Sequence, residues 1–361
     1  MELTRLVVSD VRCVAEAELD LGPGLNLITG GNGAGKTSLL EAVHLLGYGR
    51  SFRGRVRDGL VRVGRPHLGV FLEWRDGRGQ ARRAGLRHEG AQWEARLDSQ
   101  SVPSLTELCA ELAVVTFEPG SHALIAGGGE GRRRFLDWTL FHVEPSFLPL
   151  WRRYARALKQ RNALLKTSPS PASLDAWERE LADAGEPLTR LRQVALEQFE
   201  PILAATAAEF LPELGAASLD FQPGWRQADL ALADALLLGR ERDLATGFTS
   251  VGPHRADWRL GYAGLPAPAV LSRGQEKLTA LACVVAQARA FADRQQEWPV
   301  VCLDDLASEL DLPHQRRVLS ALLASGAQVL LTATETPAVL TDLPAPSRMF
   351  HVEQGRIDRV G

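Results

Sequence analysis

Apolar and polar positions divide this 361-residue chain into strand-like ends and a helix-like middle. Residues 25–30, LNLITG, alternate and predict a strand. SLLEAVHLLGYG, shortly after it, predicts a helix closed by Gly47 and Gly49. PVVCLDD (299–305) and VLLTAT (329–334) are apolar runs that predict buried parallel strands. From residue 272, apolar side chains at 278, 281, 284, 285 and 288 repeat with helical spacing, and the S-x-x-Q pair Ser272/Gln275 places the helix start near Arg273. Residues 119–244 show helical patterns without a sustained heptad run, and 173–210 predicts two helices interrupted at Gly185 to Pro187. RGRVRDGLVRVGR (53–65) alternates Arg with small or apolar residues and predicts a strand pair with one polar face, and VEQGRIDRV predicts a closing strand pair.

Chemistry enters at the first strand. Gly30-Gly31-Asn32-Gly33-Ala34-Gly35-Lys36-Thr37 satisfies G-x-x-x-x-G-K-[ST], between a strand and a helix as the motif requires. Glycines let the backbone curl so that N–H groups face phosphate oxygens, and the helix N-terminus adds partial positive charge. Lys36 is expected to reach the β- and γ-phosphates of ATP, and the Thr37 hydroxyl to ligate Mg²⁺. Asp304 and Asp305 end a buried strand, where ligands of open α/β sheets sit. Asp304 is expected in the Mg²⁺ shell, and Asp305 as the base that polarises the attacking water. VLLTAT ends in two Thr whose hydroxyls could sense the γ-phosphate; no His is there. Ser272, Arg273, Gly274 and Gln275 open a second anion-receptive helix start; alone, that would be an ordinary capped helix.

Composition changes the picture in two places. The four cysteines form no C-x-x-C pair, which predicts buried thiols in a reducing compartment and no zinc site. Net charge is −3, yet residues 132–166 hold nine Arg or Lys against two acids. Within them WRRYARALKQRNALLK aligns Arg152, Arg156 and Lys159 along one helix face, a candidate contact for DNA phosphates. No zinc-finger, helix-turn-helix or RNP pattern accompanies it, so DNA binding is expected to ignore sequence. No run is apolar enough to span a bilayer and no signal-peptide pattern opens the chain, which predicts a cytoplasmic protein without a membrane partner.

Together, the phosphate loop, LSRGQ, the strand ending in two acids and LASELD resemble the ATP-binding-cassette ATPases. The flanks LVVSDVR, GEGRRRFLDW, YARALKQRNALL and SVGPHRADW, which lie outside the shared motifs, resemble the RecF family of bacterial DNA repair ATPases, from about residue 3 to TATE. That resemblance implies an α/β fold: an ABC-type P-loop ATPase head (1–118 plus 245–361) with an inserted, mostly helical lobe (119–244) and no long coiled coil. It implies ATP-dependent homodimerisation in which Ser272–Gln275 of one chain caps the γ-phosphate held by the other. Ser308 and Asp311 resemble the loop that crosses that interface. It further implies recombinational repair of replication gaps and support of the SOS response, with the mediators RecO and RecR and loading of RecA. Arg273 stands where many cassettes have Gly, Asp305 is one methylene shorter than the usual Glu, the switch His is missing, and the nearest candidate for the glutamine loop is TFEPGS. Weak, DNA-stimulated ATPase activity is therefore expected. The alternatives are a transporter's nucleotide-binding subunit and a non-hydrolysing ATP-gated scaffold.

Overall fold

The computed structural model describes residues 1–54, 56–90, 92–167, 170–265 and 271–360. The first part of the chain runs β1 (Glu2–Val11), β2 (Val14–Asp20), β3 (Leu25–Thr29), α1 (Lys36–Tyr48), β4 (His67–Arg75), β5 (Ala81–Glu89), β6 (Gln92–Leu97), β7 (Gln100–Val102), α2 (Leu105–Glu111) and β8 (Val114–Phe117). The middle runs α3 (Ala123–Ala126), α4 (Gly129–Val143), α5 (Phe147–Leu164), α6 (Pro171–Phe210), β9 (Ala217–Gln222), α7 (Leu232–Thr246) and β10 (Asp257–Tyr262). The last part runs α8 (Arg273–Gln295), β11 (Val300–Leu303), α9 (Leu306–Glu309), α10 (Leu312–Ala324), β12 (Val329–Ala333), β13 (Arg348–Glu353) and β14 (Arg356–Arg359). These elements form two units, Met1–Ser121 with Ser272–Gly361, and His122–Leu271.

The first unit is built on two sheets. One has the order β14-β13-β3-β12-β11-β8, and the other β2-β1-β4-β5-β6-β7. In the first sheet β13, β3, β12, β11 and β8 pair in parallel, with Leu27 opposite Leu331 and Val301 opposite Val329 and Val115. All four residues of β11 are fully buried, which is why its sequence is apolar throughout. The second sheet is antiparallel and half-buried: Leu68, Val70, Leu72 and Trp74 of β4 point inward while the residues between them are more exposed. Helix α1 contributes Leu39, Leu40, Val43 and Leu46 to a core shared with β1, β4, β11 and β12, so nearly all its faces are covered. Gly49 ends α1 in the left-handed region at φ 66°. Gly47 lies inside the helix; a Cβ there would come 2.8 Å from Val114, so it serves close approach and not termination.

Among the described residues of 53–65 no strand pair forms. Arg55 lies outside the described residues; Val56–Asp58 form a single 3₁₀ turn, and Val61 bridges to Val11. Gly54, Gly59 and Gly64 all have positive φ (143°, 84° and 79°) and break the extended run. The closing pair β13/β14 does form, turned by Gln354 and Gly355 at φ 48° and 79°.

The second unit packs α4, α5, α6 and α7 around Leu140, Phe147, Tyr154, Leu181, Leu188, Leu232 and Leu236. The expected interruption of 173–210 does not occur: α6 is one helix of 40 residues containing Pro187 and Pro201. An internal proline costs about 3 kcal/mol. Leu181 and Leu188, on either side of Pro187, are buried, and each such side chain contributes roughly 1.5–3 kcal/mol, enough to offset it. Gly185 is a contact point, since a Cβ there would meet Leu232 at 2.6 Å and Tyr154 at 3.0 Å. The chain returns to the first unit at Ser272, later than the residue 245 read from the sequence pattern. The cause is the β9/β10 ribbon, which pairs Trp258 with Phe221 and Leu260 with Leu219 and so keeps 257–262 with the helices.

Candidate nucleotide site

The loop 30–37 leaves β3 and enters α1 without a side-chain cap on the helix. Its glycines are required by shape. Gly30 sits at φ 151°, where a Cβ would lie 2.2 Å from the Val352 carbonyl oxygen, and Gly35 at φ 122° is closed in by Val14 and Cys13. Gly31 and Gly33 face open space; together with Asn32 they form the exposed crest of the loop, with Ala34 partly covered behind them. The Lys36 ammonium folds back and donates to the carbonyls of Gly30 (2.7 Å) and Gly31 (2.9 Å). A buried cation is thus held against the loop it would share with an anion.

Parallel pairing of β11 with β8 and β12 sets the second half of the site. The Asp304 N–H donates to the Phe117 carbonyl at 2.8 Å, continuing the β11/β8 ladder by one residue. The Asp304 carboxylate accepts from the Thr37 hydroxyl at 3.0 Å on both oxygens, and from the Thr332 hydroxyl at 2.7 Å. Burial penalises its charge and pushes its carboxyl above the usual carboxylate range, while the bonds from Thr332 and Thr37 and the nearby Arg53 pull the other way. A hydroxyl and a buried carboxylate converging at hydrogen-bond distance are the hard-oxygen donors that a magnesium ion takes, so these residues fit that ion. Asp305 follows in the left-handed region at φ 51°, its N–H donated to the Thr332 hydroxyl at 2.9 Å. Asp and Asn tolerate that backbone better than longer side chains do.

Thr332, read from sequence as a phosphate sensor, is fully buried and instead fastens Asp304 and Asp305 to β12, whereas Thr334 is exposed. Thr332→Val keeps the shape and removes both bonds. The expected loss is about 1–3 kcal/mol of stability. A carboxyl whose folded pKa exceeds its unfolded value favours the fold at acid pH, and this contribution is lost as pH rises through the folded pKa. Thr332→Val pushes Asp304 further up, so its penalty should be larger at neutral than at acid pH in urea melts with chelator present. Equal penalties at both pH values would contradict this.

The capping box at α8 is complete: the Ser272 hydroxyl accepts from the Gln275 N–H, and the Gln275 side chain accepts from the Ser272 N–H at 2.9 Å. Ser272, Arg273 and Gly274 are exposed, and nothing lies within 4 Å of where a Gly274 Cβ would stand. Among the described residues no hydrogen bond or ion pair joins these three to the loop 30–37 of the same chain. One helical turn on, Lys277 pairs with Glu309 of α9 at 2.7 Å, tying the start of α8 to the segment after Asp305. Sequence reading did not find that pair, nor the Arg12–Glu41 pair (2.8 Å) that anchors the β1–β2 turn to α1 behind the loop; both join residues distant in sequence without a local motif. Ser308 is exposed, and Asp311 caps α10 by accepting from the His314 N–H at 3.0 Å. Of the four cysteines three are buried as expected, but Cys13 is exposed, its thiol 3.7 Å from the Gly33 carbonyl. Arg152, Arg156 and Lys159 are exposed together on α5, in the second unit.

A glycine loop clasping a lysine, facing a buried strand that ends in two acids, defines a P-loop ATPase head of the ATP-binding-cassette class. The fold agrees: the head of an Smc protein solved with a ScpA domain superposes with a TM-score of 0.61 at 14% identity, over 100% of this chain and 97% of that one. A family model described as an AAA domain matches residues 5–81. The sequence relationship is closer. The DNA replication and repair protein RecF of Stenotrophomonas maltophilia is 59% identical over 99% of both chains, and that of Shewanella baltica 38% identical over 99% of both. A solved structure of the recombination mediator protein RecF with ATP, in the RecFOR pathway, has a TM-score of 0.89 at 25% identity, over 100% of this chain and 98% of that one. The chain belongs to the RecF family of DNA replication and repair proteins.

Proposed function

We propose that this chain binds ATP in the loop 30–37 with Mg²⁺ on Thr37 and Asp304, and that two copies close around the nucleotide. In the closed pair, Ser272, Arg273, Gly274 and Gln275 of each copy cover the γ-phosphate held by the other. The observation that carries the reading is the α8 start: a capped, glycine-bearing helix N-terminus exposed to solvent and unattached to its own phosphate loop. The relative solved with ATP supports the nucleotide. The metal would neutralise developing phosphate charge. Lys36 holds the β- and γ-phosphates in place. The Asp305 carboxylate accepts a proton from a water molecule as its oxygen attacks the γ-phosphorus, and the bond to the β–γ bridging oxygen breaks to release ADP. The short Asp305 side chain makes this slow, so that hydrolysis ends the DNA-bound state and performs no mechanical work. The closed pair associates with DNA in the cytoplasm, and DNA stimulates turnover. Partnership with RecO and RecR, loading of recombinase at gaps and support of the SOS response follow for this chain from its family.

Ser272→Arg tests the closure. The variant should bind ATP as the natural chain does but remain monomeric with ATP in sedimentation velocity, because the large cation obstructs the phosphate cap. Normal ATP-dependent dimerisation of this variant would end the trans-capping account. The stripe Arg152, Arg156 and Lys159 is the proposed DNA contact. It lies on a helix whose other two basic groups before Lys166 are taken, Arg153 by Glu180 at 2.7 Å and Arg161 by Glu178 and Asp243 at 2.8 Å.

A further inference from the structure

We infer that the Lys277–Glu309 ion pair is a positioning strut: it braces the segment that carries Asp305 against the helix start that covers the partner copy's phosphate. This rests on the paired-copy reading above and adds a link between the two nucleotide sites of the pair. On that reading the two ends of the link serve different nucleotides. Ser272–Gln275 cover the γ-phosphate held by the other copy, while Asp305 takes a proton from the water at the γ-phosphate on its own loop.

The strut stands between these ends within one chain. Lys277 is two residues beyond Gln275, on the second turn of α8. Asp305 and Glu309 are opposite ends of α9, one turn and about 6 Å apart. The Lys277 ammonium lies 2.7 Å from Glu309 Oε2, and the Glu309 side chain is 11% exposed. That oxygen is shielded from water, and no hydrogen bond reaches it from any other described group, so the ammonium is the charge that balances it.

Both sides of the pair are stiff, as transmitting a position requires. The capping box fixes the first turn of α8, and Leu278, Ala280, Leu281 and Ala282 behind Lys277 are buried. The single turn of α9 is bonded at each end. The Ser308 N–H and hydroxyl donate to the Asp305 carbonyl at 3.0 and 2.9 Å, and the Leu310 N–H donates to the Leu306 carbonyl at 3.1 Å. The Asp305 N–H is held by the Thr332 hydroxyl at 2.9 Å, and Leu306 is buried. A shift of Glu309 is therefore carried to Asp305 and not absorbed between them. A general base works only within hydrogen-bond reach of its water, and a misplacement of about 1 Å costs on the order of a hundredfold in rate.

The test uses the full chain, phosphate release over a range of ATP concentrations, and sedimentation velocity in ATP. Lys277→Met should lower kcat roughly tenfold or more, with KM for ATP and ATP-dependent dimerisation as in the natural chain. Lys277→Met combined with Glu309→Gln leaves no unbalanced charge. Its unfolding midpoint should match the natural chain, yet its kcat should stay as low as that of Lys277→Met, a result a merely structural role would not give. Lys277→Arg keeps the charge and should keep most of kcat. Ser272→Ala reads the link to the phosphate cover, because it removes a hydroxyl there without obstructing closure. Its loss in kcat and that of Lys277→Met should fail to multiply in the combined variant.

Unchanged kcat in Lys277→Met would overturn the inference. So would recovery of kcat in the neutral double variant, since an unbalanced charge alone would then be at fault. Full multiplication of the Ser272→Ala and Lys277→Met losses would overturn it too, as would loss of dimerisation in Lys277→Met. Each of these outcomes, with the natural chain dimerising normally in ATP, removes the strut alone. A natural chain that stays monomeric in ATP removes the paired-copy reading, and the strut with it.

Discussion

Lys36→Met is expected to abolish ATP binding at working concentrations and, with it, ATP-dependent dimerisation. The Lys36 ammonium is already positioned by the loop: it is buried and donates to the Gly30 and Gly31 carbonyls at 2.7 and 2.9 Å. Arriving phosphates meet a cation already held in place by the loop, so little reorganisation is needed. Methionine has a similar length and fits the same space without charge or donors. A charge-assisted hydrogen bond contributes about 1.5–3 kcal/mol, so removing those to two phosphates lowers affinity on the order of a hundredfold or more. The fold should persist, because Leu39, Leu40 and Val43 hold α1 in the core independently of Lys36. Titration with a fluorescent ATP analogue and a circular dichroism spectrum decide the matter. ATP affinity within about threefold of the natural chain would show that the loop does not hold phosphate as proposed.

Asp305→Asn should do the reverse, leaving ATP bound and the dimer closed while turnover falls roughly a hundredfold or more. The substitution is conservative in shape. Asn accepts the φ of 51° that Asp305 adopts, and the N–H bond to Thr332 belongs to the backbone and is kept. What is lost is the carboxylate that takes the proton from water. Removing a negative charge beside the phosphates also favours the nucleotide-bound state. Phosphate release assays paired with sedimentation in ATP would show slow hydrolysis and a persistent dimer. Unchanged turnover would move the base to another residue.

These two residues could be picked out of the sequence because the motifs that carry them are local. Eight contiguous residues carry the glycine-rich motif, and the glycines at 30, 33 and 35 adopt the positive φ that glycine favours, although Val352, Val14 and Cys13 also crowd Gly30 and Gly35. The buried strand ending in Asp304 and Asp305 is equally local, since an all-apolar run before two acids has few other placements. The capping box at Ser272 and Gln275 spans four residues and formed as read. The antiparallel sheet was much harder to see. Its inward positions, such as Leu68, Val70, Leu72 and Trp74, alternate as a half-buried strand should, but its register is set by pairing between β1, β4 and β5. The continuity of α6 was misread because proline and glycine signal a break only when nothing else holds the helix together. Here Gly185 is where Tyr154 and Leu232 make their close approach.

By itself, then, the sequence determined the glycine-rich motif, the apolar strand ending in two acids, the capped helix start and the resemblance to the family, all written in short contiguous runs. Tertiary structure alone decided what joins them. Thr37 meets Asp304 across 267 residues, Thr332 meets Asp304 across 28, and Lys277 meets Glu309 only because α8 and α9 are brought together by the sheet. A single hydroxyl or carboxylate leaves no periodic trace of its partner; only the packing of buried strands against one another fixes which side chains come within hydrogen-bond reach.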